Sequence, residues 1–216
     1  MKYRPFGVLI STVFAGAIFL SLSTIGAPVT PEDHVAGTVT KLKARAVAVQ
    51  DALPRPLEVD SPVYVGDVIS TGADARIEVR MIDDGVITLG ERTVFVVIDY
   101  VFKDSRGNAA LRLLSGAVRA VTGGIGKLEN RPFMVLSEVA TVGIRGTDFF
   151  AGFIHDEFHV GLLGGAGVYV KNSAGSVELT KIGDGTKVKA PGAAPTKAKP
   201  WPKAMTEMTA AAVSFE

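Results

Sequence analysis

The chain has 216 residues, with 23 basic and 22 acidic side chains, a formal net charge of +1 and no cysteine. This balance lacks the basic excess of nucleic-acid-binding proteins, and the missing cysteines exclude disulfides, thiolate nucleophiles and cysteine-rich metal sites. A hydrophobic content of 47% with 24 glycines and 11 prolines favours one domain built from short strands and tight turns.

The amino terminus has the pattern of a secretory signal peptide. Lys2 and Arg4 precede an uncharged run over residues 6–27, whose last three residues suit a cleavage site. The run is also long enough for a membrane anchor, which needs about 20 residues, but its serines and threonines favour cleavage. Residues 1–27 therefore predict an exported, periplasmic protein, held at the membrane only if this segment is not cleaved.

Strand patterns follow one another over residues 35–190. Residues 75–82 alternate apolar and charged side chains, which is the period of a half-buried strand, and Asp83-Asp84-Gly85 then forms a hairpin turn. Short strands at this spacing predict an all-β sandwich or barrel. The predicted strands are 35–40, 46–49, 62–69, 75–82, 86–90, 93–102, 111–118, 133–140, 139–150, 160–170, 176–182 and 187–189.

Three segments are predicted to lie outside these strands. Residues 51–56 contain two prolines and are expected to form a loop, because proline cannot donate a ladder hydrogen bond. Residues 122–132 are expected to be an exposed loop. Residues 191–202 are rich in proline, alanine and lysine, which predicts a mobile linker between the β domain (35–190) and the tail. A short helix is expected after Pro202, with one side formed by Ala204, Met205, Met208 and Ala212.

The stretch 139–150 reads VATVGIRGTDFF and contains Arg145 in an apolar strand pattern interrupted by glycines. A guanidinium keeps its charge, so Arg145 needs hydrogen-bond acceptors. The favoured interpretation is an internal tie from Arg145 to a carboxylate such as Asp148, or to a carbonyl, that joins two layers. The alternative is a bidentate contact with an anion or a partner at the sheet surface.

Elements of this sequence, in order, resemble the FecR domain, a β-rich module of bacterial envelope proteins. The resemblance spans residues 35–188, which is most of the chain after the predicted signal peptide. The matching elements are Gly37-Thr38-Val39, the GDVISTG segment at 66–72, Asp84-Gly85 before Ile87-Thr88-Leu89, the LLSGAV segment at 113–118, the VGIRGTDF segment at 142–149, Gly167-Val168, and the closing turn at 183–188.

The resemblance implies a jelly-roll-like β-sandwich in the periplasm. The regulators that give the family its name relay an iron-siderophore signal from the outer membrane to a cytoplasmic sigma factor. Only residues 1–5 precede the apolar run here, too few for an anti-sigma segment. We therefore expect a stand-alone envelope domain whose function is binding.

Metal and catalytic patterns are weak. His155 and His159 have the spacing of a zinc pair on a helix, but their flanks read as strands, which favours a hairpin tip. Asp83 and Asp84, with Asp67 or Asp74, supply too few ligands for a calcium loop. Ser115 lacks the context of a hydrolase nucleophile. The sequence therefore assigns no catalytic, metal or cofactor residue.

The expected function is a non-catalytic interaction or ligand-binding module of the bacterial envelope. Its partner would be an envelope protein or a glycan, and not a nucleic acid. Two alternatives remain open, a binder of cell-wall carbohydrate or peptidoglycan and an envelope enzyme. Trp201, the only tryptophan, either docks on the β domain or anchors a partner.

Overall fold

The computed structural model describes residues 35–129 and 133–216, so the predicted signal peptide lies outside the described residues. No helix in the described part of the chain is both long and apolar enough to cross a membrane. The elements are β1 (Val35–Lys43), β2 (Ala46–Gln50), β3 (Leu53–Leu57), β4 (Pro62–Tyr64), β5 (Val68–Thr71), β6 (Arg76–Met81), β7 (Val86–Leu89), β8 (Val94–Lys103), β9 (Arg106–Ser115), β10 (Ala117–Val121), β11 (Phe133–Leu136), β12 (Thr141–Ile154), β13 (Glu157–Asn172), β14 (Gly175–Leu179), β15 (Asp184–Val188), β16 (Lys199–Pro200) and α1 (Lys203–Val213).

The strands form one hydrogen-bonded sheet. Its main path runs β3-β2-β5-β8-β9-β11-β12-β10-β7-β6-β1-β4, and β13 joins β12 to β14 and β15. The two ends of the path, β3 and β4, are consecutive in the chain and joined only by residues 58–61, so the sheet curls back on itself.

The main core fills the inside of this curl. Side chains of β5 and β8 meet those of β6 and β7 around a void of about 10 Å³, although these pairs of strands lie far apart in the sheet order. Buried residues from nearly every strand join the same apolar cluster. The layers expected of a sandwich are thus opposite walls of one curled sheet, and the predicted all-β class is confirmed.

The predicted loop at residues 51–56 is wrong, because Leu53–Leu57 forms strand β3 at the edge of the sheet. Pro54 and Pro56 lie opposite Val49 and Val47 of β2. Prolines two residues apart lack donors on the same side of a strand, and an edge strand has one side that needs none. The two prolines of the segment are therefore equally compatible with an edge strand and with a loop.

The predicted exposed loop at 122–132 contains no strand over its described part, residues 122–129, but the prediction that it is exposed is wrong for Gly123, Ile125 and Gly126. Ile125–Lys127 forms a 3₁₀ turn, and the side chain of Ile125 is completely buried in the main core. One apolar residue among glycines gives no periodic pattern, so the sequence alone did not reveal that this segment is anchored.

The carboxylate of Asp83 holds this turn against the β6–β7 hairpin. Its Oδ2 accepts a hydrogen bond from the Ile125 amide at 2.9 Å. Its Oδ1 accepts from the Gly85 amide at 3.0 Å and from the Tyr100 hydroxyl at 2.7 Å. Burial, together with the adjacent Asp83 carboxylate, raises the pKa of Tyr100, so the phenol remains a donor. Asp83 is therefore a structural acceptor at a buried junction.

The segment 191–202 is not a mobile linker but packs along the β domain. The Thr196 amide donates to the Lys187 carbonyl at 3.0 Å, and the Asn172 side-chain amide donates to the Ala193 carbonyl at 2.7 Å. On the side of the segment these contacts use backbone groups, and backbone groups leave no pattern in the sequence. The described chain therefore shows no structural break at residue 190.

The helix expected after Pro202 is confirmed as α1, but its buried face differs from the predicted one. Thr209 and Val213 are the buried residues of the helix. Thr209 can be buried because its hydroxyl donates to the Thr206 carbonyl at 3.0 Å within the helix. Of the residues predicted for this face, Met205 and Ala212 are half-buried and Ala204 and Met208 are exposed.

Replacing Asp83 by asparagine should destabilise the protein, because the new amide group turns a donor toward one of three existing donors. We expect a loss of about 2 kcal/mol or more in the free energy of unfolding, measured by urea denaturation. Asp84→Asn is the matched control, since Asp84 is exposed and has φ 64°, which asparagine tolerates. Equal stability of the two variants would contradict this role of Asp83.

Candidate functional site

The VGIRGTDF segment occupies the middle of the sheet, on strand β12. This strand pairs with β10, β11 and β13. The side chains of Val142, Ile144 and Phe149 are fully buried in the main core. Gly143 lies opposite Tyr169 on β13, and a Cβ at Gly143 would collide with the tyrosine ring. These positions of the segment therefore serve the packing of the fold.

Thr147 links three neighbouring segments through its backbone and hydroxyl. Its Oγ1 donates to the Gly167 carbonyl on β13 at 2.8 Å and accepts from the Arg145 amide at 3.3 Å. Its amide donates to Thr122 Oγ1 at 2.8 Å, and its carbonyl accepts from the Thr122 amide at 3.0 Å. The buried threonine is therefore also structural.

The ladder between β12 and β13 is irregular beside this threonine, and its register shifts between Asp148 and Phe149. The pairs Arg145↔Gly167 and Thr147↔Gly165 are present, whereas Gly146 makes no pair in the register. Gly146 has φ 52°, in the left-handed region that favours glycine. A Cβ at Gly165 would collide with the Gly146 carbonyl. The glycines of this region thus permit a kink in a long hairpin.

Arg145 lies on the outer side of the kink and is exposed. The expected internal tie of Arg145 is wrong, because its side chain bonds to no carboxylate or carbonyl of the described residues and Asp148 is bound by Arg119 of β10. Arg119 Nε lies 2.9 Å from Asp148 Oδ1, and Nη2 lies 2.7 Å from Oδ2. This bidentate bond raises the pKa of Arg119. Arg145 makes no ion pair with residues 35–129 or 133–216.

Sequence reasoning missed Arg119, although it is the single polar residue of the strand segment AVRAV. A pair that is far apart in the chain depends on strand order, and only the β10–β12 pairing brings Arg119 beside Asp148. The sequence alone does not show which arginine faces Asp148.

A recess of about 510 Å³ lies beside Arg145, and we call it the Arg145 recess. It separates the kink of β12 from the 3₁₀ turn. Lys127 and Glu129 are both exposed on it and provide its other charges. The described residues that line the recess are Gly126, Lys127, Leu128, Glu129, Arg145, Gly146 and Ala166.

The histidine pair is placed as the strand interpretation predicts. His155 and Asp156 have φ 48° and 63° and form the two-residue turn of the β12–β13 hairpin, which matches a type I′ turn. His159 lies further along β13 and is buried. The described residues contain no group of three or more side chains arranged to hold a metal ion.

Trp201 docks on the β domain. Its ring lies over Gly161 of β13 and Gly185 of β15, where a Cβ on either glycine would collide with it. It also makes an edge contact with Phe150, with 6.1 Å between ring centroids. Phe150 and Val213 of α1 belong to a second small apolar cluster, separate from the main core, against which Trp201 packs.

A cleft of about 160 Å³ beside Trp201 is lined in part by His159. Burial lowers the pKa of His159, the nearby Glu157 carboxylate acts in the opposite direction, and Lys187 and His155 add to the lowering. Glu157 is bound by Lys187 Nζ at 2.6 Å and lies 3.7 Å from His159 Nε2. A neutral His159 therefore accompanies the docked tail.

The fold is an all-β domain whose strand β12 carries the VGIRGTDF segment at 142–149. This signature segment is mostly apolar and exposes one arginine. Residues 67–166 match the model of the FecR protein family, described as "FecR protein". The resemblance drawn from the sequence is therefore confirmed over these residues. The match includes Asp67, the Asp83 junction and Arg145, whereas Trp201 and α1 lie outside it.

Two crystal structures share this fold. Both are of a candidate anti-sigma factor from Parabacteroides distasonis ATCC 8503, at 1.65 and 2.50 Å resolution. Each has a TM-score of 0.50 and 18% sequence identity, over 61% of this chain and 58% of the other chain. This chain thus matches somewhat more than half the length of those proteins. No curated protein matches it.

Gly185→Ala should expel the Trp201 ring, because the added methyl occupies the ring's position. We expect a red shift of Trp201 emission and a lower melting temperature. Gly72→Ala is the control, since a Cβ there would meet only the Arg45 carbonyl, at 3.6 Å. If the methyl acts through the ring, Trp201→Ala adds little further loss in the double variant. Additive losses of stability would contradict the contact between the Trp201 ring and Gly185.

Acidification should weaken docking of the tail through His159. Its pKa is lowered in the folded state, so below the usual value of about 6.5 the unfolded or undocked chain binds the proton first. Stability attributable to His159 is complete above about pH 6.5 and is lost as the pH falls toward the lowered pKa.

The measurement is Trp201 emission and melting temperature between about pH 7.5 and 5. His159→Gln should flatten both pH profiles, whereas His155→Gln, a change at the exposed hairpin tip, should leave them unchanged. The same slope in the wild type and both variants would show that His159 is not the group responsible.

Proposed function

We propose that this protein is an exported, non-catalytic interaction module of the bacterial envelope, with a role related to envelope signalling. The FecR domain at residues 67–166 supports the envelope role. The predicted signal peptide at residues 1–27 supports export. The partner class that we favour is another envelope protein.

The observation that carries the proposal is the exposure of Arg145 at the centre of the signature strand. The other charged residue of the segment, Asp148, is engaged by Arg119. Val142, Ile144, Thr147 and Phe149 are buried. Arg145 is thus the signature position whose charged group lies at the surface, beside a recess of about 510 Å³. Exposed arginines are common anchors of protein interfaces.

The position of Trp201 favours a protein partner over the glycan alternative. A carbohydrate site would use an exposed aromatic face, but the only tryptophan packs over Gly161 and Gly185. Its contact with Phe150 occupies a further part of the ring. Binding centred on the Arg145 recess accounts for the exposed arginine, and it does not require Trp201 to leave its position over Gly161 and Gly185.

The test is capture of the partner in the organism that encodes the protein. The full chain with a carboxyl-terminal tag is expressed, crosslinked in cells and recovered from the periplasmic fraction. We expect a specific envelope protein to be captured by the wild type and to be lost with Arg145→Ala. The melting temperature should change little, because Arg145 is exposed and a surface charge contributes about 0–1 kcal/mol.

Arg80→Ala is the matched control, since Arg80 is also an exposed strand arginine but lies on β6, outside the Arg145 recess. It should retain the captured protein. Equal capture by wild type, Arg145→Ala and Arg80→Ala would contradict a role for Arg145. Recovery of the protein from the cytoplasm alone would contradict export.

A further inference from the structure

We infer that the Arg145 recess binds an acidic peptide segment of the partner, with a single aspartate or glutamate carboxylate held between Arg145 and Lys127. This inference rests on the proposed function and specifies the chemistry of its contact.

The charges of the recess fit one carboxylate. Arg145 comes from the kink of β12 and Lys127 from the 3₁₀ turn, so the two cations belong to different segments of the lining. Neither is within 4 Å of an acidic oxygen in the described residues. The guanidinium offers a planar fork that matches a carboxylate, and the ammonium adds a second charge-assisted donor.

Glu129 distinguishes between anions. The described residues of the lining include Arg145, Lys127 and Glu129, whose charges sum to a formal +1. That charge is neutralised by one carboxylate, whereas a phosphate monoester, with a charge near −2, would meet an uncompensated repulsion from Glu129. The lining therefore favours a carboxylate over a phosphate group.

Main chain from β12 and β13 forms part of the recess. Gly146 does not take part in the β12–β13 register, and neither does Ala166 on the opposite strand. Both line the recess. Gly146 and Ala166 therefore place main chain against the recess, where an extended peptide can lie alongside a strand. Leu128 provides an apolar contact on the same lining.

The size of the recess suits a short segment rather than a large surface. Its volume of about 510 Å³ falls within the range of pockets that hold small molecules, about 300–1,000 Å³. A few residues around one acidic side chain fit this space. The recess thus acts as a specific anchor point within a wider interface.

The experiment measures fluorescence anisotropy of labelled peptides with the full chain in a detergent that keeps it monodisperse. The probes are a fluorescein-labelled tetraglutamate peptide and a matched tetraglutamine peptide. We expect binding of the acidic peptide alone, weakened by added salt. Arg145→Gln and Lys127→Gln should each weaken binding about tenfold, the effect of losing one charge-assisted hydrogen bond. Arg80→Gln should leave it unchanged.

Competition identifies the anion. Acetate should displace the acidic peptide at lower concentration than inorganic phosphate does. Stronger displacement by phosphate, or equal binding of both peptides, would overturn the inference. Because Lys127 and Arg145 are both exposed, the melting temperatures of the variants should match the wild type and show that each is folded.

The outcome separates this inference from the proposed function. Capture of an envelope protein through Arg145, without binding of the acidic peptide, would overturn the carboxylate chemistry and keep the interaction module. Binding of the peptide with equal capture by wild type and Arg145→Ala would keep the site but reject it as the partner contact. Failure of both would overturn both proposals.

Discussion

The pairing of β12 with β13 is the constraint on which the rest of the structure depends. β12 joins β10 and β11, and β13 joins β14 and β15, so most of the sheet is assembled around this hairpin. A regular ladder of this length would be stiff. Irregularities at Gly146 and between Asp148 and Phe149, beside the hydrogen bonds of Thr147, interrupt the ladder while the inward side chains remain in the core.

The same kink separates structural from functional positions within the signature. Val142, Ile144 and Phe149 face the core, and glycine is required where backbones or rings come close. Arg145 stands at the bend, where neighbouring strands do not cover it. A distorted strand exposes a side chain and backbone groups together, which is why such bends are suitable places for recognition.

The tail adds a second packing layer outside the curled sheet. Trp201 and Val213 cover Phe150 on the face opposite the main core, and backbone hydrogen bonds hold residues 191–202 along β13 and β15. These residues lie beyond the matched FecR stretch at 67–166. The tail therefore buries apolar surface that the sheet would otherwise expose.

Local periodicity and turn chemistry predicted the all-β class, the hairpins at Asp83-Asp84-Gly85 and His155-Asp156, and the helix after Pro202, whereas the family resemblance rests on motifs that occur in order along the chain. Tertiary structure alone decided that Asp148 pairs with Arg119, that Ile125 is buried and that Trp201 docks on two glycines. Each of these contacts joins residues far apart in the chain, so it depends on strand order and curvature, which local patterns do not encode.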